Sequence, residues 1–84
     1  MNTPFARAVA IELARARELY PQPMPTPHDA HGKILEEVCE FFDEVRNREA
    51  HRSPELMLVE LVQIGAMAQR AAEDLKFIDR GTID

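Results

Sequence analysis

The chain has 84 residues, enough for one domain, and 45% of them are apolar, so it is globular rather than disordered. Fifteen acidic residues against ten Lys and Arg give a net charge of −5. That balance argues against a nucleic-acid polymer or an anionic membrane surface as partner, since both attract basic patches. Gly is scarce and Ala, Leu, Glu and Arg dominate, which predicts an all-α fold over a single domain, residues 1–84.

Thr3-Pro4, Thr26-Pro27 and Ser53-Pro54 each place a hydroxyl side chain before a Pro. This is the pattern of an N-cap followed by Pro at the first helical position, where its missing N–H is harmless. Three helices are therefore predicted. The first spans 4–20, with Phe5, Val9, Leu13, Ala16 and Tyr20 as its apolar stripe. Pro21, Pro23, Pro25 and Pro27 then force an extended connector over 21–27 that is poor in backbone donors.

The second helix is predicted over 27–49, and the chain is organised around its stretch 34–45. Ile34, Val38, Phe41, Phe42 and Val45 recur at helical spacing as the inward stripe. The other side carries Glu36, Glu37, Glu40, Asp43 and Glu44, while Lys33 and Arg46 lie only at the ends. Glu37, Glu40 and Glu44 share one face, where like charges repel. A divalent cation relieves such repulsion, because hard cations take carboxylate oxygens. A solvated acidic strip is the competing reading. His28 and His31 are three apart, a poor zinc set without further nitrogen or thiol ligands.

The third helix is predicted over 54–78. Between Leu56 and Ala68 only Glu60 and Gln63 are polar, so the helix is buried on most sides. A Glu in that setting must be paired, protonated or metal-bound. Its alternatives are an Arg from the first helix or an escape to solvent. Gly65 with its neighbouring Ala residues offers a flat face for close helix approach. Gly81 is read as the end of the ordered region. The lone Cys39 allows no internal disulfide and suggests a reducing compartment. Arg7, Glu12, Arg15 and Arg17 interrupt the N-terminal apolar residues, so no secretory signal is read. No apolar run approaches the ~20 residues that span a bilayer. A cytoplasmic location is the expectation.

Glu36-Glu37-Val38-Cys39-Glu40 matches the EExxE motif, and residues 28–75 resemble the compact phage and bacterial members of the MazG-like, all-α nucleoside triphosphate pyrophosphohydrolases. The resemblance implies Mg²⁺-dependent cleavage of a nucleoside triphosphate to the monophosphate and pyrophosphate. It implies Glu36, Glu37, Glu40 and Glu60 as the catalytic set, with Glu37, Glu40, Glu60 and Gln63 about the metal. Gln63 stands where the family's second motif, ExxD, has Asp. A neutral oxygen donor there brings no charge. His28 and Lys33 are the candidate substrate contacts. The resemblance also implies a dimer or tetramer in which three-helix protomers complete a four-helix-type bundle. The alternative is a non-catalytic helical module that dimerises or binds a nucleotide without cleaving it.

Overall fold

A computed structural model describes residues 3–47 and 51–80. Among these residues it contains three helices and no strand: α1 (Pro4–Leu19), α2 (Pro27–Val45) and α3 (Pro54–Asp74). Each helix starts at its expected cap. The hydroxyls of Thr3, Thr26 and Ser53 accept from the N–H groups of Ala6, Asp29 and Leu56 at 3.1, 3.2 and 3.1 Å. Thr26 also donates to Asp29 Oδ2 at 2.6 Å, fixing an acidic side chain in the first turn of α2.

The helix ends differ from expectation. The second helix stops at Val45, where Arg52 Nε donates to the carbonyls of Val45 and Asn47 at 2.8 and 3.2 Å and satisfies the orphaned end. Residues 48 and 49 of the expected helix lie outside the described residues, as does Gly81. The third helix stops at Asp74 because Lys76 takes a left-handed conformation, φ 64°. The N–H of Lys76 then reaches the Glu73 carbonyl at 3.1 Å and that of Phe77 the Ala72 carbonyl at 2.9 Å, a Schellman closure.

The organising helix is α3, not α2. Both α1 and α2 pack on α3, and among the described residues no Cα of α1 lies within 8 Å of one in α2. Val9 lies at Gly65, and Arg17 at Glu73 and Asp74, so α1 runs parallel to α3. Glu40 lies at Glu60, and Asp29 shares a cavity with Arg70, so α2 runs antiparallel to it. The core is small: Val9 and Leu13 of α1 close on Ala66, which is 0% exposed, with Val62 and Met67 packed against them. Gly65 permits this approach, since a Cβ there would lie 3.1 Å from Val9 Cγ2. The flat face of α3 is thus filled by α1 of the same chain.

A buried ion cluster fastens the connector to this frame. The Arg70 side chain donates to the carbonyls of Gln22 at 2.8 Å, Ala16 at 3.4 Å and Tyr20, and to Asp74 Oδ2 at 3.2 Å. Arg17 bridges Glu73 and Asp74 at 2.8 Å each. Met24, one of few connector residues with an N–H, donates it to Asp74 Oδ2 at 2.9 Å. Burial alone would push the Asp74 carboxyl up; the Met24 N–H, Arg17 and Arg70 outweigh it and hold the group below its ordinary 3.8.

Candidate metal centre

With only α3 as its neighbour, α2 is rotated from the orientation that its apolar stripe suggests. Ala30 is buried, and Ile34, Glu37, Phe41, Glu44 and Val45 are half-buried. Val38 and Phe42 of the expected inward stripe are exposed, Phe42 by 56%. Acidic residues that a solvated strip would leave in water therefore face α3, where Glu60 is itself half-buried.

The result is a three-carboxylate cluster. One oxygen each from Glu37, Glu40 and Glu60 lies within 4.8 Å of the other two. Helix geometry explains the first pair, since residues three apart share a face. Antiparallel packing brings the third from the opposite helix. Oε2 of Glu37 and Oε2 of Glu60 are both buried and accept no hydrogen bond. Native structures leave few such atoms, and each calls for a partner.

The electrostatics agree. Burial, then the Glu40 carboxylate, then Glu60 and Glu36 push the Glu37 carboxyl from 4.5 up to about 7. Burial and the carboxylates of Glu40 and Glu44 likewise push Glu60 up. Burial and mutual repulsion thus favour the protonated forms of Glu37 and Glu60 where no cation neutralises them.

The donor set fits a hard divalent ion. Such ions take carboxylate oxygens at about 2.0–2.6 Å, so two oxygens on one ion lie at most about 4–5 Å apart. The observed spacing needs only small side-chain adjustments to meet this, and an ion there would give Glu37 and Glu60, each with an unpartnered oxygen, a common partner.

Glu37 stands where the cluster meets a cavity of about 500 Å³. The cavity lies between α1, the connector, α2 and α3, in the space that α1 and α2 leave by not meeting. Glu36, Lys33 and Gln63 also line it, while His28 is exposed and does not. Lys33 Nζ is 4.0 Å from Glu36 Oε2. Gln63 is thus a cavity residue beside the acidic cluster.

Three elements were not singled out from the sequence: buried Arg70, its partner Asp74, and the connector as a cavity wall. The signal for the first two was an Arg set among Gly65, Ala66, Ala68, Ala71 and Ala72 with an Asp one turn later. Cys39 is exposed and free. No helix among the described residues is long and apolar enough to cross a membrane. Comparisons with protein-family models, with curated proteins and with solved structures found no match.

Proposed function

We propose that the protein is a Mg²⁺-dependent hydrolase that converts a nucleoside triphosphate to the monophosphate and pyrophosphate. The observation that carries this reading is the meeting of Glu37, Glu40 and Glu60, with two buried oxygens left unpartnered. The EExxE resemblance supplies the reaction class.

Glu37 and Glu40 of α2 and Glu60 of α3 would hold the ion. When bound, it supplies positive charge to the polyphosphate and makes water a stronger nucleophile at neutral pH. The chain's own contribution is placement. Two packed helices fix the carboxylates before substrate arrives, so little reorganisation is needed during reaction. Glu36, on the cavity wall beside Glu37, lies outside the cluster and is the nearest carboxylate in the chain to it that is free to accept a proton from the attacking water. Lys33 offers a cation to phosphate oxygens from the same wall.

The test is a screen of nucleoside triphosphates with Mg²⁺, reading released pyrophosphate. Turnover of at least one triphosphate is expected, with loss of turnover in Glu37→Gln and Glu40→Gln. No turnover with any triphosphate in a protein that binds Mg²⁺ favours the second reading, a non-catalytic nucleotide-binding module. Gln63 in the family's Asp position is the observation on that side.

The assembly is part of this proposal. Leu35, Val38 and Phe42 leave an apolar stripe exposed on α2, and Ile11, Leu58 and Val59 leave another between α1 and α3. A second copy covering them completes a four-helix-type bundle. A stable monomer in sedimentation at micromolar concentration would count against it.

A further inference from the structure

A hydrated divalent ion, with about six waters of ~30 Å³ each, fills well under half of the 500 Å³ cavity. The cavity instead falls within the range of about 300–1,000 Å³ that holds small organic ligands. Beside charged lining from Glu12, Arg15, Asp29 and Arg70 it has an apolar part: Pro23 and Pro25 of the connector, Met67 of α3, and Tyr20, 70% exposed. These are flat or adaptable surfaces suited to a planar ring. The wall is also fixed before any ligand arrives, because Arg70 and Asp74 hold the backbone of Tyr20, Gln22 and Met24. A wall that need not be ordered on binding wastes little affinity.

Between this wall and the acidic cluster stands Gln63. It is half-buried, lines the cavity, and its amide makes no hydrogen bond among the described residues. An unpartnered amide offers both donors and an acceptor, the pair of functions that the edge of a heterocycle requires.

We propose that this cavity seats the uncharged ring of the ligand, a nucleobase, against Pro23, Pro25, Met67 and Tyr20, with Gln63 as the specificity-determining residue at the ring's edge. The assignment of the ring as a nucleobase rests on the proposed hydrolase reading; the seat itself rests on the cavity. Gln63 is thereby assigned to the ligand's ring rather than to the metal.

The experiment is a titration of the full chain with adenosine, guanosine, cytidine and uridine in EDTA. It is followed by NMR of the Gln63 side-chain amide, the Met67 methyl and the Tyr20 ring. Saturable shifts at all three groups are expected, with the preferred nucleoside binding about tenfold or more tightly than the poorest, since a mismatched polar edge leaves buried groups unpaired. Gln63→Leu should keep the folded spectrum and compress that ratio to within about threefold. Absence of shifts with every nucleoside, or an unchanged ratio in Gln63→Leu, overturns the inference. Mg²⁺ shifts confined to Glu37, Glu40 and Glu60 would then leave the metal centre standing alone. Conversely, nucleosides that bind while Mg²⁺ does not sustain the ring seat and sink the hydrolase.

Discussion

Replacing Glu37 by Gln separates a carboxylate held for a cation from one that decorates a surface. In the folded protein the Glu37 carboxyl titrates at about 7 rather than 4.5. Between those values the folded state binds more protons than the unfolded chain. The associated stability is complete below about pH 4.5 and is lost as pH rises through 7. Each pH unit of displacement corresponds to about 1.4 kcal/mol, so the full loss would be about 3 kcal/mol. Glu37 is only half-buried, and solvent screening reduces this to about 1–2 kcal/mol. Gln has the same shape and cannot ionise. In EDTA at pH 8, Glu37→Gln should therefore melt about 5–15 °C above the wild type. The two should converge as pH approaches 4.5. Adding Mg²⁺ should reverse the order by raising the wild-type Tm selectively, because an ion that binds the folded state stabilises it. Calorimetry at pH 6.5 in buffers of different ionisation heat should show release of up to about one proton per ion bound. The assay is thermal melting at fixed protein concentration across pH 4.5–8, with EDTA or Mg²⁺. Equal melting temperatures at pH 8 and parallel pH profiles would refute the reasoning, since they would mean that Glu37 carries no repulsion to relieve.

Arg70→Met should destabilise the protein by about 1–3 kcal/mol in urea unfolding, because it takes one partner from the buried Asp74 carboxylate, which keeps Arg17 and the Met24 N–H, and removes the side-chain donor to the carbonyls of Tyr20 and Gln22. The depressed Asp74 titrates with the opposite sign to Glu37: its stabilisation is present above pH 3.8 and is lost as pH falls through its lower folded value. A stability profile in EDTA should accordingly peak near pH 4–5, and Asp74→Asn should flatten its acid limb. Two glycines should respond differently to Ala. Gly32 has open space around it, so Gly32→Ala should gain about 0.5–1 kcal/mol by helix propensity. At Gly65 the same gain meets Val9 Cγ2 at 3.1 Å, and the buried Val9 has little room to retreat. Gly65→Ala should therefore be neutral or destabilising by about 1 kcal/mol in the same unfolding assay.

The helix starts were legible in the sequence because capping is local: a hydroxyl, a Pro and the N–H groups of one turn suffice. The Glu37–Glu40 pair was legible for the same reason, and the apolar run around Glu60 indicated a carboxylate in need of a partner. The rotation of α2 was not legible. Its stripe of Ile34, Val38, Phe41, Phe42 and Val45 suggests which residues prefer burial, but only the number of neighbouring helices decides how many obtain it. With α3 alone as neighbour, Val38 and Phe42 stay outside while Glu37 and Glu44 turn inward. The end of α3 was hidden because a lysine, rather than a glycine, takes the left-handed position. The Arg70 cluster was hidden because, apart from Asp74 one turn on, its partners lie about fifty residues away in the chain, a distance over which no pattern of spacing speaks.

The central position of α3 separates the molecule's two working parts in the order of assembly. In the chain only residues 46–53 separate α2 from α3, whereas α1 meets α3 through bonds between residues 54 to 57 positions apart. Closing the shorter loop comes at a smaller entropic cost, so the α2–α3 hairpin forms first and α1 docks onto it. The three carboxylates belong wholly to that hairpin. The connector wall depends on α1 being in place, since Arg70 grips the carbonyls at its end. Opening of α1 would dissolve both the cavity and the core of Val9 and Leu13 on Ala66, whereas α2 buries only Ala30, so amides of α2 should exchange with solvent at lower free energy than those of α1 and α3. Occupancy of the cavity would slow exchange in α1, a helix that supplies no carboxylate to the cluster.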